Sequence, residues 1–513
     1  MSREWRIAKG GSPLCTERNM RCIVLGCLMV VLLAAPAYPA NDTVKRAMTL
    51  YKMHCYEEAA TVLHSSLASL EEGSQGLAYL SLGLIYLKNA ELHRALYLIS
   101  VSVHLDYLEK LAAFRGEARS SLVDLYLGEA LLQGNRSGEA VRSFERLISD
   151  RGVQEKYREI AEVQLGLCYQ LQAKNRKAKD IWKRANPRDP EVLSELAAAY
   201  SKACLVGENP ETICDEALAL AKHSGNATPI RVIKNALGVY AKAGLIEKGL
   251  ELLGETDLKA FSSEEVLGEN KVLRFYDLAL LDNLAKLYGK ASIEYLTKAT
   301  AVDGSRDAAN YYLGEAYAGF GSFDQSAKVT SSFISSNGAP QQFKTKAKAR
   351  QAALLYLQGQ KTEAMNRWNE LLQQQPNSPD LVADILSACN RLGVECSEIV
   401  TRAAALAKAG DGNKLSSVNI ALGRYYLGRK DYTKSIAYME VERNKGNKNR
   451  IEYNDPLMLI NLAEAYYQTM QFSEALEIYF AISEQFPAVR QIQVAMQGIY
   501  SMEQKSAGDA KIL

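Results

Sequence analysis

AEAYYQTMQFSEALEIYFAISEQFP, Ala463 to Pro487, and GLCYQLQAKNRKAKDIWKRANPRDP, Gly166 to Pro190, share few identities but one spacing. Each opens on a small residue, with Tyr three positions later, Ala twelve later, a large aromatic sixteen later and Pro twenty-four later. A small residue and a Tyr three apart lie on one helix face. The Ala begins a second apolar stripe, so a turn must intervene. Small residues let two helices approach closely, the aromatic fills the groove between them, and Pro stops the second helix. The spacing therefore predicts a helical hairpin.

The series recurs along the chain. It runs through Gly83, Tyr86, Ala95 and Ile99, then Gly128, Leu131, Ala140 and Phe144, then Leu237, Tyr240, Gly249 and Leu253. Further on come Gly314, Tyr317 and Ser326, then Ala352, Leu355, Ala364, Trp368 and Pro376, and then Gly423, Tyr426, Ser435 and Met439. Turn chemistry falls between the stripes, as at Gly134-Asn135 and Lys430-Asp431. One hairpin cannot bury both of its faces, so neighbours must stack.

This pattern resembles the tetratricopeptide repeat, whose period is about 34 residues. The resemblance implies an all-α, right-handed α-solenoid of about eleven or twelve hairpins between Thr43 and Pro487, degenerate near 191–225, 272–303 and 380–410. Breaks in the pattern divide the chain into a leader (1–40), an N-terminal array (41–255), an irregular connection (256–271), a C-terminal array (272–487) and a capping helix with tail (488–513).

The leader has the form of an export signal. Met20-Arg21 supplies a positive start, Ile23 to Ala35 an apolar run of thirteen residues, and APAYPA a small-residue end, with cleavage after Ala37 or Ala40. Thirteen apolar residues fall short of the roughly twenty that span a bilayer, so no span is expected after cleavage. The nineteen residues before Met20 have no apolar pattern, which makes Met20 a candidate start. Outside the leader the formal charge is about −1, which offers no electrostatic footprint for nucleic acid or an anionic membrane.

Three of the nine cysteines (Cys15, Cys22 and Cys27) fall in the leader. In the body, Cys204 and Cys214 bracket one expected turn and Cys389 and Cys396 another, so an oxidising compartment would favour two local disulfides, each worth about 2–3 kcal/mol. Cys55 and Cys168 have no evident partner. The five histidines are spread too widely for a metal site and are expected on exposed helix faces. No Gly-rich phosphate loop, GxSxG or HExxH is present, so neither a catalytic set nor a cofactor is expected.

Tetratricopeptide arrays are similar in holding extended peptides or helices on a concave face lined by first helices. Carried onto this chain, that lining is Leu80, Leu84, Leu87, Leu125, Leu132, Tyr311, Tyr356 and Tyr467. Lys346 and Arg350 match half of the clamp that some members use for a carboxylate, but Tyr312 stands where an Asn is needed. RNKGNKNR, Arg443 to Arg450, reads as a solvated connection. The expected function is a non-catalytic, protein-binding scaffold of a bacterial envelope assembly (secretion, pilus or polysaccharide export), periplasmic or outer-membrane-associated. A chaperone-like binder of exported clients is the alternative, and a cell-wall-turnover enzyme the third reading.

Overall fold

In the computed structural model the described residues are 42–113, 122–184, 188–205, 207–223, 228–256, 264–267, 270–273, 278–376, 378–409, 415–445 and 455–482, with Ile492, Met496 and Ile499. The leader, the basic run from 446 to 450 and most of the expected capping helix lie outside them.

Helices α1 (Asp42–Lys52) and α2 (Tyr56–Ser66) form a first hairpin and lead into one long helix, α3 (Glu72–Ala113). Four hairpins follow: α4 (Leu122–Gln133) with α5 (Ser137–Ser149), α6 (Glu155–Leu171) with α7 (Asn175–Trp182), α8 (Pro190–Ala203) with α9 (Pro210–His223), and α10 (Ile230–Ala243) with α11 (Ile246–Gly254). An antiparallel ribbon, β1 (Glu264–Leu267) and β2 (Asn270–Leu273), then precedes a second long helix, α12 (Leu278–Thr300). Five more hairpins complete the array: α13 (Arg306–Gly319) with α14 (Phe323–Ser335), α15 (Gln341–Leu357) with α16 (Lys361–Gln374), α17 (Pro379–Arg391) with α18 (Ser397–Ala409), α19 (Ser416–Gly428) with α20 (Tyr432–Lys445), and α21 (Pro456–Gln468) with α22 (Phe472–Ile482). The fold is all-α, a stack of helix pairs.

Every one of the ten hairpins turns in the same way. The tip residue adopts left-handed backbone, from Cys204 at φ 52° to Gly359 at φ 85°, with His54, Asn135, Ala173, Gly244, Gly321, Gly393, Lys430 and Met470 between them. The following amide then bonds the carbonyl five residues back, as from Lys174 to Tyr169 at 2.8 Å and from Gln471 to Tyr466 at 2.9 Å. This is the six-to-one bond of a Schellman motif, which satisfies a carbonyl that the ending helix leaves open.

The repeat spacing has its cause in packing. A Cβ on Gly128 would lie 2.5 Å from the Phe144 ring, one on Gly423 2.5 Å from Met439, and one on Gly166 would collide with the Trp182 indole nitrogen. The bulky residue sixteen on thus lies directly against the small one. Trp182 and Trp368 both donate their indole N–H to a first-helix carbonyl, Val163 and Ala349 respectively, each at 3.0 Å. Where Ser replaces the Ala at position twelve, its hydroxyl donates to the carbonyl of the small residue: Ser326 to Gly314 at 2.7 Å and Ser435 to Gly423 at 2.9 Å. A polar substitution inside a helix–helix contact is tolerated because it finds that partner.

Three expectations need correction. The series Gly83 to Ile99 is not a hairpin, because α3 runs through it without a break, and 272–303 is likewise one helix rather than two. The hairpins therefore number ten among the described residues, with two unpaired long helices. The β1–β2 ribbon, where no strand was expected, also lies in the irregular connection and runs two residues past its expected end at 271.

The two long helices pack on each other antiparallel. Tyr86 stacks on Tyr288 and Tyr295, with ring centroids 5.7 Å apart in each case, and His93 lies 5.2 Å from Tyr288. Ser292 donates to the Gly83 carbonyl at 2.8 Å, and a Cβ on Gly83 would meet Leu296 at 2.5 Å. Gly83 is thus the small residue of a repeat whose packing partner lies on α12 rather than sixteen positions on.

Candidate protein-binding surfaces

The residues expected to line an open groove are mostly core. Leu80, Leu84 and Leu87 are buried with Leu296, Ala309 and Leu313, between α3 and the α12–α13 segment. Leu125 is fully buried and Leu132 packs partly buried against the same core. Tyr311 is 6% exposed, wedged against Phe333 and Phe343, and Tyr467 is 8% exposed, its hydroxyl donating to Asp106 of α3 at 3.0 Å. Tyr356 alone of these three tyrosines keeps part of its ring accessible, stacked 6.4 Å from Trp368.

Part of this burial comes from α3, which contacts both the first and last helix pairs of the C-terminal array. Arg94 donates to the Gly319 carbonyl at 2.8 Å and Gln468 to Ser102 at 3.3 Å, while Arg391 and Glu91 lie 3.5 Å apart. The helix expected to line the groove thus packs against other helices of the chain itself.

In the N-terminal array the first helices meet through buried charge. Arg231 of α10 donates to Glu129 of α4 at 2.5 Å and to Glu195 of α8 at 3.0 Å, and its side chain is only 9% exposed. Asn235 adds a bond to Glu195 at 3.0 Å, and Gln164 donates to the same carboxylate. Burial alone would raise the Glu195 carboxyl, but Lys234, Arg231 and Asn235 reverse this and hold it at about 2. Burial and then Arg231 push Lys234 down to about 8, against the pull of Glu129 and Glu195. In sequence these residues look like solvated helix faces, because no local spacing separates a charge that spans three repeats from one that faces water.

The half clamp is likewise used internally. Arg350 is buried, donating to the Thr330 hydroxyl at 3.2 Å and the Tyr311 carbonyl at 3.1 Å, and Lys346 pairs with Asp384 at 3.3 Å. His64 and His223 are exposed as expected, but His54, His93 and His104 depart from exposed faces. His104 is 1% exposed, and burial lowers it to about 3 and His93 to about 4.

The expected disulfides are not present, since all six described cysteines carry free thiols. Cys204 is exposed and lies 3.0 Å from the Lys242 ammonium, whereas Cys214 is buried among Ala197, Ala236, Val239 and Tyr240. Cys389 and Cys396 are instead both buried in one cluster across the Gly393 tip.

Large apolar residues do remain exposed at the hairpin tips: Met53 (43%), Leu171 (58%), Leu245 (40%), Leu357 (40%) and Met470 (65%). Each lies within two residues of a left-handed tip residue or is that residue itself. Stacked repeats place their tips along one edge, so these side chains dot that edge of each array. Turn positions are where polar residues are expected, and the signal the sequence carried was apolar residues in their place. Among the described residues no helix is long and apolar enough to cross a membrane, and no group of three metal-ligating side chains occurs.

Residues 350–378, within the α15–α16 hairpin and its exit, match the tetratricopeptide repeat family model. Among curated proteins none matches the chain. Similar solved structures include yeast Tom70, at 12% identity over 93% of this chain and 97% of that one, with a TM-score of 0.30. The tetratricopeptide domain of P58(IPK) is similar at 14% identity over 75% and 99% of the two chains, with a TM-score of 0.20. A signal transduction ATPase with a tetratricopeptide repeat sensor, from Pyrococcus horikoshii, is similar at 13% identity over 71% and 61%, with a TM-score of 0.29. The chain is a multi-repeat helical protein that carries a tetratricopeptide repeat at 350–378.

Proposed function

We propose that the protein is a non-catalytic scaffold that binds protein partners along its tip edge, within a bacterial envelope assembly for secretion, pilus formation or polysaccharide export. The observation that carries the surface is the contrast in exposure: the inner lining is spent on α3 and on the Arg231 network, while Leu171 and Met470 stand 58% and 65% exposed. Isolated exposed apolar residues are ordinary, but their recurrence at equivalent tips gives an edge that a protein surface can cover. The envelope placement, periplasmic or outer-membrane-associated, is supported by the export form of 1–40. Burial of most of the expected lining weighs against a client-receiving chaperone.

Crosslinking in cells followed by purification tests this reading. A scaffold returns a few envelope proteins in fixed stoichiometry, lost when Leu171→Glu and Met470→Glu are combined and retained when exposed Lys183 is changed to Glu. Many substoichiometric clients would establish the chaperone reading instead. Degradation of cell-wall polymer by the purified protein would end both.

A further inference from the structure

The α17–α18 tip differs from the other nine in placing a cysteine on each side of its left-handed residue, Gly393 at φ 68°. Cys389 lies in the last turn of α17 and Cys396 immediately precedes α18. The Val394 amide bonds the Cys389 carbonyl at 2.7 Å, which folds the loop back on itself and returns the chain toward α17 two residues before Cys396. Both are buried in one cluster with Ile385, Leu386 and Ile399. Of Cys204 and Cys214, by contrast, the first is exposed and the second buried, so the arrangement is particular to this tip.

We propose that Cys389 and Cys396 form a reversible thiol–disulfide site, oxidised by exchange with a small-molecule or protein disulfide. A thiolate of the pair attacks one sulfur of the incoming disulfide and releases the other as a thiolate. The second cysteine gives up its proton and attacks the mixed disulfide, forming the Cys389–Cys396 bond. Two electrons pass to the incoming disulfide, which departs as two thiols carrying the two protons. Because both cysteines are buried in one cluster across a closed tip, closure asks for side-chain adjustment rather than movement of the helices.

Access is gated by the tip. The two residues are 0% and 2% exposed, so exchange requires local opening of a loop that Arg429 of the next repeat holds down. Arg429 donates to the Val394 carbonyl at 3.0 Å and lies 3.5 Å over the Tyr425 ring. Interaction with Cys396, and then burial, also push the Cys389 thiol far up, which keeps it protonated while the tip is closed. Oxidation then tightens α17 to α18, and through Arg429 it protects α19 as well.

The test uses the intact chain incubated with glutathione disulfide, alkylated under denaturing conditions and mapped as peptides without reductant. The expected product is one bridged peptide, Cys389 to Cys396, lighter by two hydrogen atoms, with Cys168 and Cys214 alkylated and the bond reversed by dithiothreitol. Oxidation should raise the thermal midpoint and slow amide exchange in α17, α18 and α19. Alkylation of both cysteines after oxidation, stable glutathione adducts on both, or bridges to other cysteines would overturn the proposal. Cys389→Ala and Cys396→Ala, with helical content checked by circular dichroism, should each abolish the oxidation-dependent midpoint shift. A shift equal to wild type in either folded variant would also refute it.

Discussion

The α6–α7 hairpin and the α3–α12 pair solve the same packing problem in different ways. In the hairpin, Gly166 receives Trp182 from sixteen positions on, and left-handed Ala173 makes the chain reverse. In the long pair, Gly83 receives Leu296 from across the molecule, and Ala90, the residue at the tip position, stays helical and 1% exposed. The tip residue is Ala in both. Local sequence thus permits either outcome, and the partner helix decides. Where a repeat finds its second helix nearby it turns, and where α12 supplies the partner it continues.

A hairpin should fail locally and the seam should fail globally. Trp368→Ala removes a fully buried indole and its bond to Ala349, at a cost of about 3–5 kcal/mol. Hydrogen exchange should then rise in α15 to α18 and leave α4 to α9 protected, because stacked repeats interact mainly with their neighbours. Arg231→Ala leaves Glu195 buried without one of its two cationic partners, at about 3 kcal/mol, and should loosen α4, α8 and α10 together. Gly83→Leu drives a side chain into Leu296 for about 2–3 kcal/mol, but it should speed exchange in both arrays at once. Loss confined to one array in that variant would mean that the seam does not couple them.

The same comparison explains what could be read from the residues alone. Hairpin architecture was legible at Gly166, Trp182, Ala463 and Tyr479 because the contacts that set their identities lie within one repeat. The continuous α3 was not, since its justification is two hundred residues away on α12. The inner lining was misplaced for the same reason. Leu80, Leu84 and Leu87 occupy positions that face an open groove only if nothing of the chain returns to fill it. The Arg231–Glu129 pair links residues 102 positions apart and has no local signature either. Degenerate spacing at 191–225 and 380–410 nonetheless gave hairpins, because left-handed tips at Cys204 and Gly393 closed them.

A smaller effect separates the last hairpin from the seam by pH. Burial raises the Glu464 carboxyl on α21 to about 7. Its folded value lies above its unfolded one, so the contribution is fully present below pH 4.5 and is lost as pH rises through about 7. Glu464→Gln should remove this dependence and leave the protein more stable than wild type at pH 8, by about 2 kcal/mol after allowance for solvent screening. Denaturant melts of both proteins at pH 4.5 and 8 give the answer. A constant difference between the two pH values would show that the carboxyl titrates normally.

The smallest effect is the sharpest test of why one Ala turns and another does not. Ala173 holds left-handed backbone at φ 60°, which costs a residue with a Cβ roughly 1 kcal/mol and a glycine almost nothing. Ala90 is helical, where glycine loses about 1 kcal/mol relative to alanine through backbone entropy. The same substitution should therefore have opposite signs. Ala173→Gly should raise the midpoint of chemical unfolding and Ala90→Gly should lower it, each by an amount corresponding to about 0.5–1 kcal/mol. Two stabilising results would mean that position 90 is under tip-like strain and that α3 is a hairpin held open by α12. Two destabilising results would mean that the Ala173 tip is maintained by its six-to-one bond and flanking contacts, at no conformational cost that glycine can relieve.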